Sequence, residues 1–140
     1  MLDLTSLIEA VSSLERTLRF ITERKPIFQD LQKEERDIYT SAVVQHFEFT
    51  YELCWKFMRR WLENNLSPGN TAGLTRKQLF RLAAEERLIE DVEAWFRYHE
   101  LRNLTSHTYN SSIAAEIFDA ASPFSLASRE LLTALEARND

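Results

Sequence analysis

The stretch VVQHFEFTYELCWKFMRRWL, residues 43–62, decides the fold class of this chain. Its apolar side chains recur every three or four residues, which is the period of an α-helix. They are Val43, Phe47, Tyr51, Cys54, Met58 and Trp61. Further apolar residues widen this stripe, so the segment is apolar over much of its circumference, as expected for a buried helix. The pattern predicts a long central helix over Glu34–Asn64.

Composition supports a helical fold over the whole chain. The 140 residues include only 2 Gly and 3 Pro, which is about a third of the usual share of these two residues. An all-β domain needs a tight turn every 8–12 residues, built mostly with Gly, Asn or Pro, so this class is close to excluded. The length is that of one ordinary domain, and we expect residues 1–140 to form a single helical-bundle domain.

The first helix is predicted over residues 2–24, before Pro26. Its apolar residues alternate by three and four, which gives a narrow seam suited to packing against other helices or a second copy of the chain. They are Leu4, Leu7, Val11, Leu14, Leu18 and Ile21. A strong loop signal follows the second helix, with Asn, Ser, Pro and Gly concentrated in residues 64–73.

Capping residues predict where the third and fourth helices begin. Thr75 followed by Gln78 has the spacing of a capping box, in which each side chain accepts a hydrogen bond from the backbone of the other residue. Asp91 is placed to cap a fourth helix that carries Trp95 and extends past His99.

The last helix is predicted to begin near Ser111 or Ser112 and contains a proline. Pro123 removes a backbone donor, so it is expected to kink the helix or to split it, with Ser122 capping the second half. The complete pattern predicts an all-α antiparallel bundle of about five helices.

Charge and cysteine content restrict the function classes. The net charge of −5 argues weakly against a general nucleic-acid binder. Two basic clusters, at residues 56–60 and 76–81, are expected to be solvated helix faces. A single Cys excludes an internal disulfide, and no apolar run approaches a membrane span, so we expect a cytoplasmic protein with no membrane partner.

Few residues are candidates for chemistry. His46 and His99 lie in apolar helical stretches and are expected to be packed or hydrogen-bonded, and Cys54 is expected to be a core thiol. No spacing typical of a metal site or of a phosphate-binding glycine loop is present in the sequence, so no metal and no cofactor are expected.

The stretch RNLTSHTY, residues 102–109, is the exception, because polar residues replace the apolar ones of a bundle helix. Arg102 and His107 are five residues apart, so on a regular helix they diverge by about 140°. They converge only if the helix ends near Ser106 or if they meet groups from another chain. A purely structural role, with Arg102 as a C-terminal helix charge and His107 as a cap, also fits the residues.

The segment from Arg102 to Tyr109 resembles the R-x4-H-x-Y motif of HEPN domains, because four residues separate Arg102 from His107 and one separates His107 from Tyr109. The stretch FEFTYELCWK, residues 47–56, resembles the second helix of the subgroup called nucleotidyltransferase substrate-binding proteins. Further similarities lie at residues 75–76, 82–83, 88–91 and 95, and the resemblance covers roughly residues 4–135.

The resemblance implies a HEPN-like four-helix up-and-down core that forms a homodimer and acts with a minimal nucleotidyltransferase. In several such pairs the HEPN protein is a metal-independent ribonuclease toxin, and its partner is an antitoxin that transfers AMP to the motif tyrosine. If the roles of the motif residues in this family also hold here, Arg102 and His107 are the catalytic residues and Tyr109 is the AMP acceptor. RNA, and not DNA, is the expected substrate.

The chemistry of these residues is compatible with metal-free RNA cleavage. The ribose 2′-OH is the nucleophile, so one group must remove its proton and another must protonate the leaving oxygen. Histidine suits both tasks, but His107 supplies only one group per chain, and a two-fold dimer supplies two. Arg102 suits binding of phosphate oxygens, and Asn103 is a candidate for orienting His107 or the phosphate.

Two alternatives stay open at the level of sequence. The chain is also consistent with a non-catalytic subunit that presents substrate or nucleotide to a partner nucleotidyltransferase. A third interpretation is a helical interaction protein in which Arg102, His107 and Tyr109 only shape a dimer.

Overall fold

The computed structural model describes residues 1–25, 27–66 and 69–139, without the side chain of Phe28. Five α-helices follow one another: α1 (Thr5–Arg24), α2 (Lys33–Asn65), α3 (Arg76–Glu85), α4 (Val92–Asn103) and α5 (Ser111–Ala137). Short 3-10 turns at Phe28–Asp30 and Thr105–His107 complete the described secondary structure, which contains no strand. The predicted all-α class and five-helix count are confirmed. Pro26, which was predicted to end the first helix, lies outside the described residues, as do Ser67 and Pro68 of the predicted loop.

Helix α2 is the central element, as the apolar stripe predicts. It contacts all four other α-helices, and α1 and α5 also pack against each other. Its 33 residues correspond to about 50 Å of helix. The predicted stripe is buried along its whole length, including Cys54, whose burial raises the pKa of its thiol.

The predicted helix starts are largely confirmed by capping contacts. Thr75 Oγ1 accepts a hydrogen bond from the Gln78 amide at 3.2 Å, and Gln78 Oε1 accepts one from the Thr75 amide at 2.8 Å. Asp91 Oδ1 accepts from the Ala94 amide at 3.1 Å. The first helix begins at Thr5, later than predicted, and the Leu2 carbonyl accepts a hydrogen bond from the Asn139 side chain at 2.9 Å and not from a helical amide.

Pro123 lies inside α5, which is continuous from Ser111 to Ala137. Of the two outcomes expected at Pro123, a kink or a split, the split is therefore excluded, and Ser122 does not begin a second helix. Pro123 is exposed, so the Asp119 carbonyl, which loses its backbone donor, faces the solvent side where water can bond to it.

A cluster of aromatic rings joins α2, α4 and α5. The Phe124 ring is fully buried, with its centroid 4.8 Å from that of Phe47, 5.0 Å from that of Tyr98 and 5.8 Å from that of Trp95. These edge-on arrangements are the favoured geometry for aromatic pairs. The cluster fixes α4, and with it the motif that ends α4, against the central helix.

We expect Phe124→Ala to lower the free energy of unfolding by about 3–5 kcal/mol, because it leaves a cavity between three aromatic rings. Urea denaturation followed by circular dichroism measures this change. Leu126→Ala is the matched control on the same helix, because Leu126 is 68% exposed, and its effect should stay within about 0.5 kcal/mol. Equal effects of the two substitutions would contradict the packing described here.

Candidate functional site

The motif residues lie where α4 ends and the chain turns towards α5. Helix α4 ends at Asn103, and the 3-10 turn Thr105–His107 follows. The buried Thr105 hydroxyl donates to the Arg102 carbonyl at 2.8 Å, which gives the end of the helix a partner within the turn. The Asn110 side chain then caps α5 by accepting from the Ser112 and Ile113 amides. The end of α4 and the start of α5 are thus both fixed by side-chain hydrogen bonds.

Arg102 is held between α2 and the turn. One terminal guanidinium nitrogen donates to Thr105 Oγ1 at 3.1 Å and lies 3.4 Å from a carboxylate oxygen of Glu48. Its Nε lies 3.3 Å from Glu52 Oε1 but is poorly aligned for a hydrogen bond, so this contact is an ion pair with an unsatisfied donor. The side chain is 32% exposed. Because guanidinium has five N–H donors, Arg102 is oriented by the protein and keeps donor capacity for an oxyanion.

His107 and Tyr109 form a second, exposed part of the motif. The His107 Nδ1 lies 3.3 Å from the Tyr109 hydroxyl oxygen, and the ring centroids are 5.8 Å apart. Tyr109 is 85% exposed. A group attached to the Tyr109 hydroxyl would therefore lie beside an imidazole nitrogen.

Arg102 and His107 do not contact each other within the described part of the chain. The Arg102 side chain is directed to α2 by Glu48 and Glu52, whereas His107 is exposed beyond Thr105. Asn103 is exposed at the last position of α4, and the described contacts include no hydrogen bond between it and His107. One chain therefore presents the two principal motif side chains separately.

A hydrogen-bonded group next to Arg102 joins α2, α3 and α4. Arg76 donates to the Tyr51 hydroxyl at 3.1 Å, and the same hydroxyl lies 2.7 Å from His99 Nδ1. Because the Tyr51 oxygen accepts from Arg76, we assign its proton to the bond with His99, which then carries its own proton on Nε2. Burial raises the pKa of Tyr51 to about 12, and burial followed by the charge of Arg76 lowers the pKa of His99. The prediction that His99 is hydrogen-bonded is confirmed.

Sequence reasoning did not find Glu48 and Glu52 as partners of Arg102, nor Arg76 as a partner of Tyr51. Glu48 and Glu52 are four residues apart, so they share one face of α2, but nothing in one sequence indicates that this face meets α4. Arg76 was expected on a solvated face, yet it is half-buried against Trp55. The sequence did offer one indication of these contacts: Glu48 and Glu52, four positions apart, are acidic residues within an otherwise largely apolar stretch of α2.

Comparison with known proteins identifies the chain. The family described as nucleotidyltransferase substrate binding protein like matches residues 2–137. The chain belongs to this family. The predicted resemblance to the nucleotidyltransferase substrate-binding subgroup is thereby confirmed.

Two similar proteins, one compared by sequence and one by structure, come from Haemophilus influenzae. The sequence relative is named probable ribonuclease HepT and is 34% identical over 140 residues, which cover 99% of this chain and 94% of the relative. The solved structure, described as the fold of a substrate binding domain of a nucleotidyltransferase, is 32% identical with a TM-score of 0.86. The match covers 96% of this chain and 99% of that one.

A crystal structure of a Thermus thermophilus protein has the same fold, with a TM-score of 0.72 at 24% identity over 92% of this chain and 98% of that one. The helical fold described above is therefore shared with solved structures from two organisms.

Among the helices that the structure describes, none has both the length and the hydropathy needed to cross a lipid bilayer. The described His, Cys, Asp and Glu side chains form no group of three or more arranged to hold a metal ion.

Proposed function

We propose that this chain is a metal-independent endoribonuclease that acts as the toxin of a toxin–antitoxin pair. Arg102 and His107 are its catalytic residues, with Asn103 in a supporting role. The observation that carries the proposal is the arrangement of the motif: Arg102 is oriented by Thr105, Glu48 and Glu52 while its side chain stays 32% exposed, and His107 is exposed on the adjoining turn. The relative named probable ribonuclease supports the same activity.

The mechanism requires a base and an acid. The base removes the proton of a ribose 2′-OH, whose oxygen attacks the adjacent phosphorus, and the bond from phosphorus to the 5′-oxygen breaks as the acid protonates that oxygen. A 2′,3′-cyclic phosphate and a free 5′-OH result. The Arg102 guanidinium binds the phosphate oxygens and stabilises the added negative charge of the transition state.

We place the complete site at the two-fold axis of a homodimer. Each chain supplies one exposed His107, and a symmetric pair supplies the base and the acid together. The separation of Arg102 from His107 within one chain favours a composite site of this kind.

The surface beside Arg102 is suited to such a dimer. Phe49 is 64% exposed and lines the same shallow groove as Glu48, Leu53 and Arg102. Exposed aromatic rings and arginines are the residue types enriched in protein interfaces.

We expect Phe49→Asp to convert the dimer to a monomer, because it places a charge in an apolar interface, and to lower RNA cleavage at least tenfold. Light scattering at micromolar concentration measures the oligomeric state. Leu126→Asp, at a comparably exposed position on α5, is the control and should leave the dimer intact. A wild-type monomer, or a dimer disrupted by Leu126→Asp and not by Phe49→Asp, would refute this placement.

The direct test of the function is incubation of the purified protein with bulk cellular RNA in excess chelator. Cleavage products ending in cyclic phosphate are expected from the wild type and not from His107→Ala. If the RNA stays intact under all conditions, the proposed ribonuclease activity is rejected.

A second candidate function is a non-catalytic subunit that presents substrate or nucleotide to a partner minimal nucleotidyltransferase. The family description favours it, and so does the pairing of Arg102 with Glu48 and Glu52, which a phosphate must displace or share. Under this function the protein binds nucleotide or RNA but leaves it intact, and Arg102→Ala reduces binding alone.

A further inference from the structure

A face of cations stacked on aromatic rings lies beside the motif, formed by Arg76, Lys77 and Arg81 of α3 with Trp55 and Phe96; we call it the α3–α4 basic face. The Arg76 Cζ lies 3.6 Å from the Trp55 ring centroid. The Lys77 Nζ and the Arg81 Cζ each lie 5.3 Å from the Phe96 centroid. These distances are within the range of cation–π attraction. Both rings are half-buried, so each is held in place and keeps part of its surface open.

The positive charge of this face is not neutralised by ion pairs. In the described ranges, no carboxylate lies within 4 Å of the nitrogens of Arg76, Lys77 or Arg81. Arg97 and Arg129, in contrast, both pair with glutamates. A chain with a net charge of −5 thus keeps three unpaired cations together on one short helix.

The α3–α4 basic face is linked to the surroundings of Arg102 through intervening side chains. The Glu52 carboxylate accepts a hydrogen bond from Trp55 Nε1 at 2.9 Å and pairs with the Arg102 Nε. Phe96 precedes Arg102 by six residues on α4, which is about 9 Å along the helix axis. His99 lies between them and is bonded to Tyr51, the residue that Arg76 contacts. Phe96 and Arg102 are also about 120° apart around the axis of α4, so a single strand that meets both must wind partly around the helix.

We infer that the α3–α4 basic face binds the single-stranded RNA segment next to the cleaved bond, an inference that rests on the proposed ribonuclease function. Lys77 and Arg81 are exposed and bind backbone phosphates, and Phe96 stacks with a base. A single strand presents phosphates and flat bases in alternation, which matches cations set around an aromatic ring. An acidic protein segment offers charge but not this regular alternation of phosphates and flat bases. Arg76, already bonded to Tyr51, keeps the Trp55 side of the face rigid.

The test is binding of a fluorescein-labelled single-stranded RNA of about 12 nucleotides, a length within the usual range of such sites. The full-length protein carries His107→Ala so that the probe stays intact. Adding Lys77→Ala with Arg81→Ala should raise the Kd at least tenfold. It should also reduce the slope of log affinity against log salt by about 1.4, because each lost phosphate contact removes about 0.7 from a single-strand slope.

Two further variants separate stacking from general charge. Phe96→Leu should raise the Kd several-fold without changing the salt slope, because it removes the ring and no charge. Arg16→Ala with Arg19→Ala makes the same charge change on the exposed side of α1 and should alter the Kd less than twofold. Circular dichroism of each variant verifies that the bundle is folded.

Several outcomes would overturn the inference. They are an unchanged Kd in the Lys77/Arg81 variant, an equal loss in the Arg16/Arg19 variant, or loss of binding to the partner nucleotidyltransferase with RNA binding intact. The inference and the proposed function fail separately. If the wild type cleaves RNA but its Kd does not depend on Lys77 and Arg81, only the proposed binding by the α3–α4 basic face is rejected. If RNA binds through this face but is never cleaved, only the proposed ribonuclease activity is rejected.

Discussion

His107→Ala should lower the rate of RNA cleavage at least 100-fold, because it removes a group that transfers a proton in the transition state. The loss should appear in kcat, with little change in the affinity for RNA. His107 is exposed on the turn after α4, so the substitution should change the free energy of unfolding by less than about 1 kcal/mol. Cleavage of a labelled RNA in excess chelator, together with urea denaturation, measures both quantities.

Arg102→Ala should produce a comparable loss of cleavage with a different signature. It removes phosphate binding as well as transition-state charge stabilisation, so KM should rise while kcat falls. Arg102→Lys should recover only part of the activity, because a lysine cannot bind two phosphate oxygens in the same planar way.

The control for both variants is His46→Ala, a half-buried histidine of α2 outside the motif, which should cleave RNA at close to the wild-type rate. In cells, expression of the wild type alone should be harmful, and either motif substitution should relieve the harm. If the His107→Ala protein is as toxic as the wild type, the proposed catalytic role of His107 is contradicted.

Supplying a partner nucleotidyltransferase with ATP should attach AMP to Tyr109 and abolish cleavage. In this reaction the Tyr109 hydroxyl oxygen attacks the α-phosphorus of ATP, loses its proton and displaces pyrophosphate. Tyr109 is the most accessible tyrosine in the described structure, since Tyr51 and Tyr98 are buried and Tyr39 is half-buried.

The reason for inactivation is the position of the Tyr109 oxygen, 3.3 Å from His107 Nδ1. AMP on that oxygen places a negative phosphodiester and a nucleoside at the imidazole that must reach RNA. The charge also attracts the arginines of the proposed site and repels the phosphates of the substrate.

Tyr109→Phe keeps the ring but removes the acceptor oxygen, so this variant should stay active and toxic when the partner is present. Tyr39→Phe is the control and should be inactivated like the wild type. Intact mass spectrometry and peptide mapping after co-expression measure the modification. A missing AMP increment, or one on another residue, would reject this inhibition and leave the ribonuclease proposal standing.

The sequence predicted those parts of the fold that depend on local patterns. The apolar period of residues 43–62 identified the central helix, and the Thr75–Gln78 and Asp91 signals identified two helix starts, because a capping bond joins residues three positions apart. The outcome at Pro123 was open, because a proline is tolerated where its helix face meets water and the exposure of that face is a tertiary property.

The candidate site was predicted less completely for a related reason. Periodicity shows which helix face is buried but not which helix covers it. The contacts of Arg102 with Glu48 and Glu52, and of Arg76 with Tyr51, join residues that are 25 or more positions apart. The roles of Arg102, Asn103, His107 and Tyr109, the homodimer, the RNA substrate and the single-domain extent stay predictions.

Pro123 separates two parts of α5 that are attached to the bundle by different contacts. The part of the helix after it is attached firmly, through the Arg129–Glu15 ion pair, with Arg129 Nε 3.0 Å from the carboxylate, and through Arg138, which donates to the Glu86 carbonyl at 2.7 Å. The part before it follows directly on the turn that presents His107 and Tyr109. The part before Pro123 is held too, by the buried side chains of Ile117 and Ala121 and by the ion pair of Glu116 with Arg97 at 2.9 Å. Because both parts of α5 are attached, we expect an enzyme that modifies Tyr109 to reach it on the exposed segment before α5 and to leave the aromatic core of the bundle intact.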